Sequence, residues 1–200
     1  MLVTIFSLIV LLFSIIIHEI AHGSVAYSLG DHTAKNEGRL TLNPLKHLDP
    51  FGSVILPLLL FITRSPVLFG YAKPVPINPY NFRDQKWGSL KVAAAGPAAN
   101  FSIAIIFGLL VRFLNLPESF SNFFIIITFY NILLGLFNLI PIPPLDGSHI
   151  LFTLLPEKWA NTKIFLQRYG FFILIFFIFF GGLHFLLRVI EKISFLITGI

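Results

Sequence analysis

The sequence predicts an all-α polytopic membrane protein with about four full spans, a re-entrant apolar segment and a short β-hairpin-like loop. Of its 200 residues, 56% are hydrophobic and only 12% are charged, and apolar runs long enough to cross a bilayer recur along the chain. The absence of cysteine excludes a disulfide framework, a thiolate zinc site and a cysteine nucleophile. The net charge of +5 is not concentrated in a basic stretch, so we expect no nucleic-acid partner.

The first predicted span covers residues 2–29 and carries the motif HEIAH, which begins at His18. The segment has no basic n-region, which favours a span over a signal peptide. On a helix, His18 and His22 lie one turn apart on one face, so both imidazoles can bind one metal ion. Glu19 can then reach a water on that ion. A carboxylate at the centre of a membrane helix costs about 2.5–3.5 kcal/mol, and a divalent cation offsets that cost.

A polar loop follows the first span at residues 31–50. Residues 39–42 alternate between polar and apolar side chains and are predicted to form a short strand. His47 is interpreted either as a solvated loop residue or as a residue near the metal or at a substrate entrance. Residues 51–62 are apolar but too short for a span of about 20 residues, so we expect this segment to be re-entrant.

The next predicted span, residues 88–113, follows a proline-rich loop whose KPVPINP run favours extended backbone. The span contains the run AAAGPAAN, whose small residues allow another helix to approach closely. Asn100 ends this run and is a polar group inside lipid. We expect it either to form an interhelical hydrogen bond or to contact the substrate.

Residues 120–140 form the following predicted span, with Asn131 and Asn138 as its most notable polar residues. Three prolines then break the helix at membrane depth, where irregular backbone is tolerated only if it is buried in protein or lines a cavity. Asp146 follows the break and is expected to cap the next helix, to bind the metal, or to do both. Two histidines and one carboxylate leave the fourth position of a zinc ion open for water, and with Glu19 the site has no net charge.

The last predicted span covers residues 171–187 and is rich in phenylalanine, and residues 189–200 continue it or lie at the membrane interface. No soluble segment is long enough to form a second domain. We therefore expect a single integral-membrane domain over residues 1–200, with a core over residues 1–156 and a C-terminal span over residues 164–200.

Three motifs together resemble the site-2 protease family of intramembrane zinc metalloproteases: HEIAH in one span, GPAAN in a later span and PPLDG after the next. The stretches LTLNPLKHLDPFG and FGYAKPVPINP resemble a compact prokaryotic subgroup of that family. The resemblance runs from His18 to His149. The sequence shows neither the PDZ-like domain nor the nucleotide-sensing module of larger members, which leaves substrate choice and regulation open.

The resemblance implies one Zn²⁺ per chain, bound by His18, His22 and Asp146, with Glu19 as the catalytic glutamate. It assigns Asn138 to a substrate or oxyanion contact. It also implies that the partners are the lipid bilayer and a membrane-protein substrate, whose transmembrane segment is cleaved in regulated intramembrane proteolysis. The oligomeric state is left open.

Two alternatives are a zinc transporter and a catalytically inactive metal-binding membrane protein. A transporter has no need of a glutamate directly after the first histidine, and an inactive relative has no chemical need for all four groups. Positive charge predicts the orientation. If residues 51–62 are re-entrant, most Lys and Arg residues share the face nearer to His22 and Asp146. We therefore expect a prokaryotic cell (inner) membrane protein with its N-terminus outside and its active site toward the cytoplasm.

Overall fold

The structure is a computed structural model that describes residues 2–63 and 73–200, and helices account for most of this part of the chain. Shorter turns connect them, of 3₁₀ type at Pro44–Lys46, Pro79–Asn81 and Glu157–Trp159 and of π type at Pro50–Ile55 and Ile178–Gly182. The α-helices of the described residues are α1 (Leu2–Ser28), α2 (Thr33–Asn36), α3 (Leu56–Ile62), α4 (Gln85–Phe113), α5 (Glu118–Asn138), α6 (Asp146–Leu154), α7 (Ala160–Phe177) and α8 (Leu183–Thr198).

Four helical stretches of the described chain are long and apolar enough to cross a membrane, and they support an integral membrane protein. They are α1, most of α4, α5 and the stretch Glu157–Thr198. The spans predicted at residues 2–29, 88–113 and 120–140 are confirmed to within a few residues. At 1.5 Å per residue α1 is about 40 Å long, which exceeds the roughly 30 Å hydrocarbon core of a bilayer.

Helix α4 lies at the centre of the bundle and packs against α1, α5, α6 and α8. Small residues on α4 and α5 permit these close contacts. Ala104 of α4 is fully buried in a cluster with Ile132 of α5 and Ile190 of α8. The ring of Phe101 lies against Gly135 of α5, where a β-carbon would stand only 2.9 Å from the ring. The alanine- and glycine-rich sequence of this part of the chain therefore sets how near the other helices come.

The predicted last span, residues 171–187, is wrong in its bounds because the helix breaks at Gly181. Its φ of 96° lies in the left-handed region that favours glycine. A straight helix over Glu157–Thr198 would be about 63 Å long, roughly twice the hydrocarbon thickness. Beyond the break α8 packs along α5 and α4. The buried residues of α8 recur at every fourth position, at Leu186, Ile190, Ser194 and Thr198.

The loop predictions have different outcomes. The strand predicted at residues 39–42 does not form, and residues 40–42 are bends. A strand needs a second strand to pair with, and the nearby segment of residues 73–78, here called the strap, bonds instead to the Arg39 side chain. Residues 51–62 are helical, as a π-type turn followed by α3. Their re-entrant path stays a prediction, since residues 64–72 lie outside the described residues.

The predicted proline break after α5 is confirmed, and it brings Asp146 back to His18 of α1. Helix α5 ends at Asn138, and Asp146 is the first residue of α6. The return is tight because a β-carbon on Gly147 would collide with the carbonyl of Leu139. The residue that caps α6 is Leu145, so the predicted capping role of Asp146 is wrong.

Candidate metal centre

Ligand atoms from α1 and α6 converge in the structure at the predicted metal site. The Nε2 atoms of His18 and His22 are 3.0 Å apart, and they lie 3.0 and 3.2 Å from Oδ2 of Asp146. Two atoms that each lie about 2.0–2.1 Å from one tetrahedral zinc ion are about 3.3 Å from each other. The spacing of the three atoms therefore fits a single ion.

Both imidazole rings are held through their Nδ1 atoms. Nδ1 of His18 lies 2.6 Å from Oδ1 of Asn100, and Nδ1 of His22 lies 2.7 Å from the carbonyl oxygen of Val92. Because both oxygens are acceptors, each Nδ1 carries the proton and donates it. In a neutral imidazole with its proton on Nδ1, Nε2 presents its lone pair to the site, which is the arrangement that a metal-ligating histidine requires.

A buried amide network fixes the orientation of Asn100. Its Nδ2 donates to Oδ1 of Asn131 at 2.9 Å and to the carbonyl of Ser14 at 3.3 Å. Asn131 in turn donates to the Ser14 hydroxyl at 2.9 Å. Since Nδ2 of Asn100 has these two acceptors, its Oδ1 must face His18. The network ties α1, α4 and α5 together behind the ligand.

Gly96 of α4 leaves the space that the two histidine rings fill. A β-carbon at this position would collide with Nε2 of His22 and would stand 2.6 Å from Nε2 of His18. With both imidazoles neutral, three lone-pair atoms face one another in a largely buried site, and a bound cation would relieve their repulsion. Two imidazole nitrogens and one carboxylate oxygen form a catalytic zinc donor set. The residues therefore fit Zn²⁺.

The three ligands and Glu19 line a cavity of about 430 Å³. Glu19 is half-buried, and its Oε2 accepts a hydrogen bond of 2.8 Å from the backbone N–H of Val75 in the strap. Asn138 and His149 also line this cavity, together with Pro74, Val75 and Ile77. The cavity thus brings a carboxylate outside the ligand set, a side-chain amide and the strap to one place.

The structure assigns different positions to the other predicted site residues. Asn138 lines the cavity, with its Nδ2 bonded to the Leu134 carbonyl of its own helix at 3.0 Å, and its catalytic role stays a prediction. Asn100 is fully buried and bonds to His18 of α1 and Asn131 of α5, so the expected interhelical hydrogen bond is confirmed, and its substrate contact stays a prediction. His47 is 1% exposed and bonds to the Thr41 carbonyl through Nε2, so its interpretation as a solvated loop residue is wrong, and its substrate contact stays a prediction.

Three residues contribute groups to the site that were not predicted, and two of them do so only through backbone atoms. These are the Val92 carbonyl and the Val75 N–H, which residue type does not indicate. The third residue is Ser14, whose hydroxyl accepts from Asn131 and whose carbonyl accepts from Asn100. Its spacing of four residues from His18 was the available signal, because it places Ser14 on the ligand face of α1.

A profile of Peptidase family M50 matches residues 115–179, which include α5, the proline break and Asp146. No solved structure matches the chain.

Several named relatives are similar over longer stretches. "Putative zinc metalloprotease YwhC" of Bacillus subtilis is 40% identical over 174 residues, covering 82% of this chain and 76% of the relative. "Putative zinc metalloprotease Rip2" of Mycolicibacterium smegmatis is 31% identical over 166 residues, covering 82% of this chain and 62% of the relative. "Zinc metalloprotease MJ0392" of Methanocaldococcus jannaschii is 32% identical over 91 residues, covering 44% of this chain and 27% of the relative.

Proposed function

The chain belongs to peptidase family M50, the site-2 protease family, and from this premise we propose that it is an intramembrane zinc metalloendopeptidase. Its substrates are membrane proteins, cleaved within or near a transmembrane segment in regulated intramembrane proteolysis. The observation that carries the proposal is the position of the metal-binding histidines within a membrane-spanning helix. His18 and His22 lie in α1, a helix apolar enough to cross a membrane, and they face a cavity that also holds Glu19.

Each residue of the site has its own role in peptide hydrolysis. When bound, zinc lowers the pKa of a bound water toward about 7 and polarises the scissile carbonyl. His18, His22 and Asp146 hold the ion, which leaves Glu19 outside the ligand set. The Glu19 carboxylate accepts the proton of the attacking water and passes it to the leaving amine. A hydrogen bond from the Asn138 amide would stabilise the oxyanion that develops on the substrate.

The substrate binds in an extended conformation. A peptide bond inside an α-helix has its carbonyl engaged in the helix ladder, so the protease acts on an unwound segment. Edge-strand pairing is a general way to hold an extended peptide, and the sequence offers residues 39–42 and 71–77 as candidates for it. The Val75 N–H and the carbonyls of Lys73 and Pro74 are already bonded within the protein. A substrate strand could therefore pair only with the remaining backbone groups of these segments. Residues 71 and 72 lie outside the described residues.

We place the protein in a prokaryotic cell (inner) membrane, with its N-terminus outside and the metal site nearer to the cytoplasm. The distribution of positive charge supports this orientation. Lys35 and Lys91 lie on the side of α1 and α4 nearer to the site, as do Lys158 before α7 and Lys163 in its first turn.

A co-expression experiment tests the proposal. The wild-type protein and its Glu19→Gln form are each expressed with a panel of tagged single-span membrane proteins, and cleavage is followed on blots. We expect a substrate that the wild type cleaves and the Glu19→Gln form leaves intact, because a glutamine cannot accept the proton of the water. Both forms should contain equal amounts of zinc. Glu118→Gln, the same change at an exposed position that begins α5, serves as the control and should cleave normally.

Cleavage by the Glu19→Gln form at the wild-type rate would refute the proposal. Zinc-dependent transport with no cleavage of any panel member would support a transporter instead.

A further inference from the structure

Three buried polar residues of the loop after α1 hold the strap. The carbonyl of His47 accepts from the Lys73 N–H at 2.9 Å, and Nη2 of Arg39 donates to the carbonyls of Lys73 and Pro74 at 2.6 and 3.1 Å. At the other end Asp31 accepts from the Asn78 N–H at 2.7 Å. His47, Arg39 and Asp31 are 1%, 5% and 0% exposed. Such buried polar groups fix the backbone that they bond.

Asp31 is ionised in this arrangement. Burial would raise the pKa of its carboxyl, but hydrogen bonds from Thr33, Asn78 and Asn81 hold this pKa below its usual range. The carboxylate therefore remains a strong acceptor for the strap at neutral pH.

Between these anchors the strap lies directly on α1. The Val75 side chain is buried, and its Cγ1 would stand 2.9 Å from a β-carbon on Gly23, one helical turn after Glu19. Val75 is flanked by Pro74 and Pro76, which have no backbone N–H. Across these three residues the strap therefore has a single backbone donor, and that donor bonds to Oε2 of Glu19.

We propose that the Val75 N–H is a positioning group for Glu19, and that Arg39, Asp31 and His47 act through it. This inference rests on the proposed function. The N–H holds Oε2 and thereby fixes the carboxylate in one orientation, with Oε1 as the oxygen that accepts the water proton. A general base held in one orientation loses less freedom in the transition state, so the effect belongs to turnover rather than to substrate affinity.

Two substitutions at one position test the positioning role. Val75→Pro removes the N–H, and Val75→Ala keeps it while removing two methyl groups. We expect Val75→Pro to lower kcat by about 10- to 100-fold, as for the loss of a hydrogen bond to a charged group, with KM and zinc content within about twofold. Val75→Ala should lower kcat clearly less than Val75→Pro does. A wild-type kcat in Val75→Pro overturns the inference.

A second pair acts from a distance and covers the case in which Val75→Pro does not fold. Arg39→Lys keeps a cation that can donate to both carbonyls, whereas Arg39→Met keeps an unbranched side chain without a donor. We expect Arg39→Met to lower kcat with little change in KM, and Arg39→Lys to restore most of it. Equal activity in the two variants contradicts the inference.

Substrate binding separates positioning from direct substrate contact. In the Glu19→Gln background, Val75→Pro should leave the dissociation constant of a single-span substrate within about twofold. A loss of affinity of tenfold or more would assign the Val75 N–H to the substrate and overturn the inference. If Glu19→Gln itself cleaves, the proposed function fails. If only the Val75 and Arg39 variants behave otherwise, the positioning role alone fails.

Discussion

At the residue scale, the packing of Gly96 against the two histidine rings shows how little space the metal centre leaves. The two histidine rings occupy the space where a side chain at position 96 would begin, and Gly96 itself provides no ligand. Any larger residue must displace Nε2 of His22 or of His18, which are the atoms that bind the ion. A residue that makes no bond to the metal thus determines whether the ligands can converge.

Gly96→Ala is expected to weaken zinc binding by roughly 10- to 100-fold, the range found when the groups that support metal ligands are changed. Alanine stabilises a helix by about 1 kcal/mol relative to glycine, so the substitution should not weaken the helix itself. A loss of zinc affinity would therefore come from the contact with the histidine rings. Metal analysis of the purified protein measures it, with about one zinc per wild-type chain and none in His22→Ala. Ala98→Ser, on the exposed side of α4, should keep its zinc. Full zinc content in Gly96→Ala would contradict the packing described here.

Asn138→Ala is expected to lower turnover by roughly 10²–10³-fold without loss of zinc, the usual effect of removing one oxyanion donor. Asn138 lines the cavity, and its amide has only a carbonyl of its own helix as partner among the described residues, so it can turn toward a substrate. Asn131→Ala offers a contrast. Its effect should appear in zinc content, because it disturbs the network behind His18. Unchanged turnover in Asn138→Ala would restrict Asn138 to helix packing.

At the scale of the secondary-structure elements, residue type and spacing were sufficient to predict the features that depend on a single helix. The spacing of His18 and His22 and the acid after the proline break gave the ligand set, because helical geometry alone places the two histidines on one face. The small residues of α4 likewise indicated close packing. These features depend on local sequence, and the structure contains them.

The bounds of α7 and α8 could not be obtained in the same way. The apolar run is continuous across the break, so hydropathy does not show that the helix ends at Gly181. Every fourth residue of α8 is buried, and this spacing identifies the face of α8 that packs. The spacing can be interpreted in this way only once α5 is known to lie against α8. The strap depends on backbone atoms, which no pattern of side chains reveals. Tertiary contacts therefore determine the bounds of α7 and α8 and the path of the strap, which local sequence does not.

A prediction at this scale concerns the substrate helix. Two Ala→Gly changes beside the scissile bond of a substrate should speed cleavage by about tenfold, because each lowers helix propensity by about 1 kcal/mol and unwinding precedes hydrolysis. Cleavage rates of the paired substrates in detergent or vesicles measure this effect. Two Ala→Gly changes one or two turns away form the control and should change the rate less. Equal cleavage of helix-breaking and helix-forming substrates would show that unwinding does not limit the reaction.

For the whole molecule, the orientation in the membrane is the testable property. The chain has no cysteine, so single cysteines can be introduced at Asn36, Ser65 and Asn115 and treated with an impermeant reagent in intact cells. Asn36 follows α1 and Asn115 joins α4 to α5, and both are exposed. We expect labelling at Asn115 and not at Asn36, since positive charge favours the cytoplasmic face for the metal side.

Ser65, which lies outside the described residues, reports on the segment at residues 51–62. Labelling that matches Asn36 agrees with a re-entrant path, and labelling that matches Asn115 means that the segment crosses the bilayer. Labelling at Asn36 and not at Asn115 would reverse the orientation proposed here.

The amide network behind His18 has a consequence for how the enzyme is made. His18 emerges from the ribosome 82 residues before Asn100 and 128 residues before Asp146. A nascent chain therefore carries the HEIAH motif while it lacks both the group that selects the His18 tautomer and the third ligand. The candidate ligands therefore converge only after the helices that carry Asn100 and Asp146 have been made and have docked, so metal binding belongs to the completion of assembly.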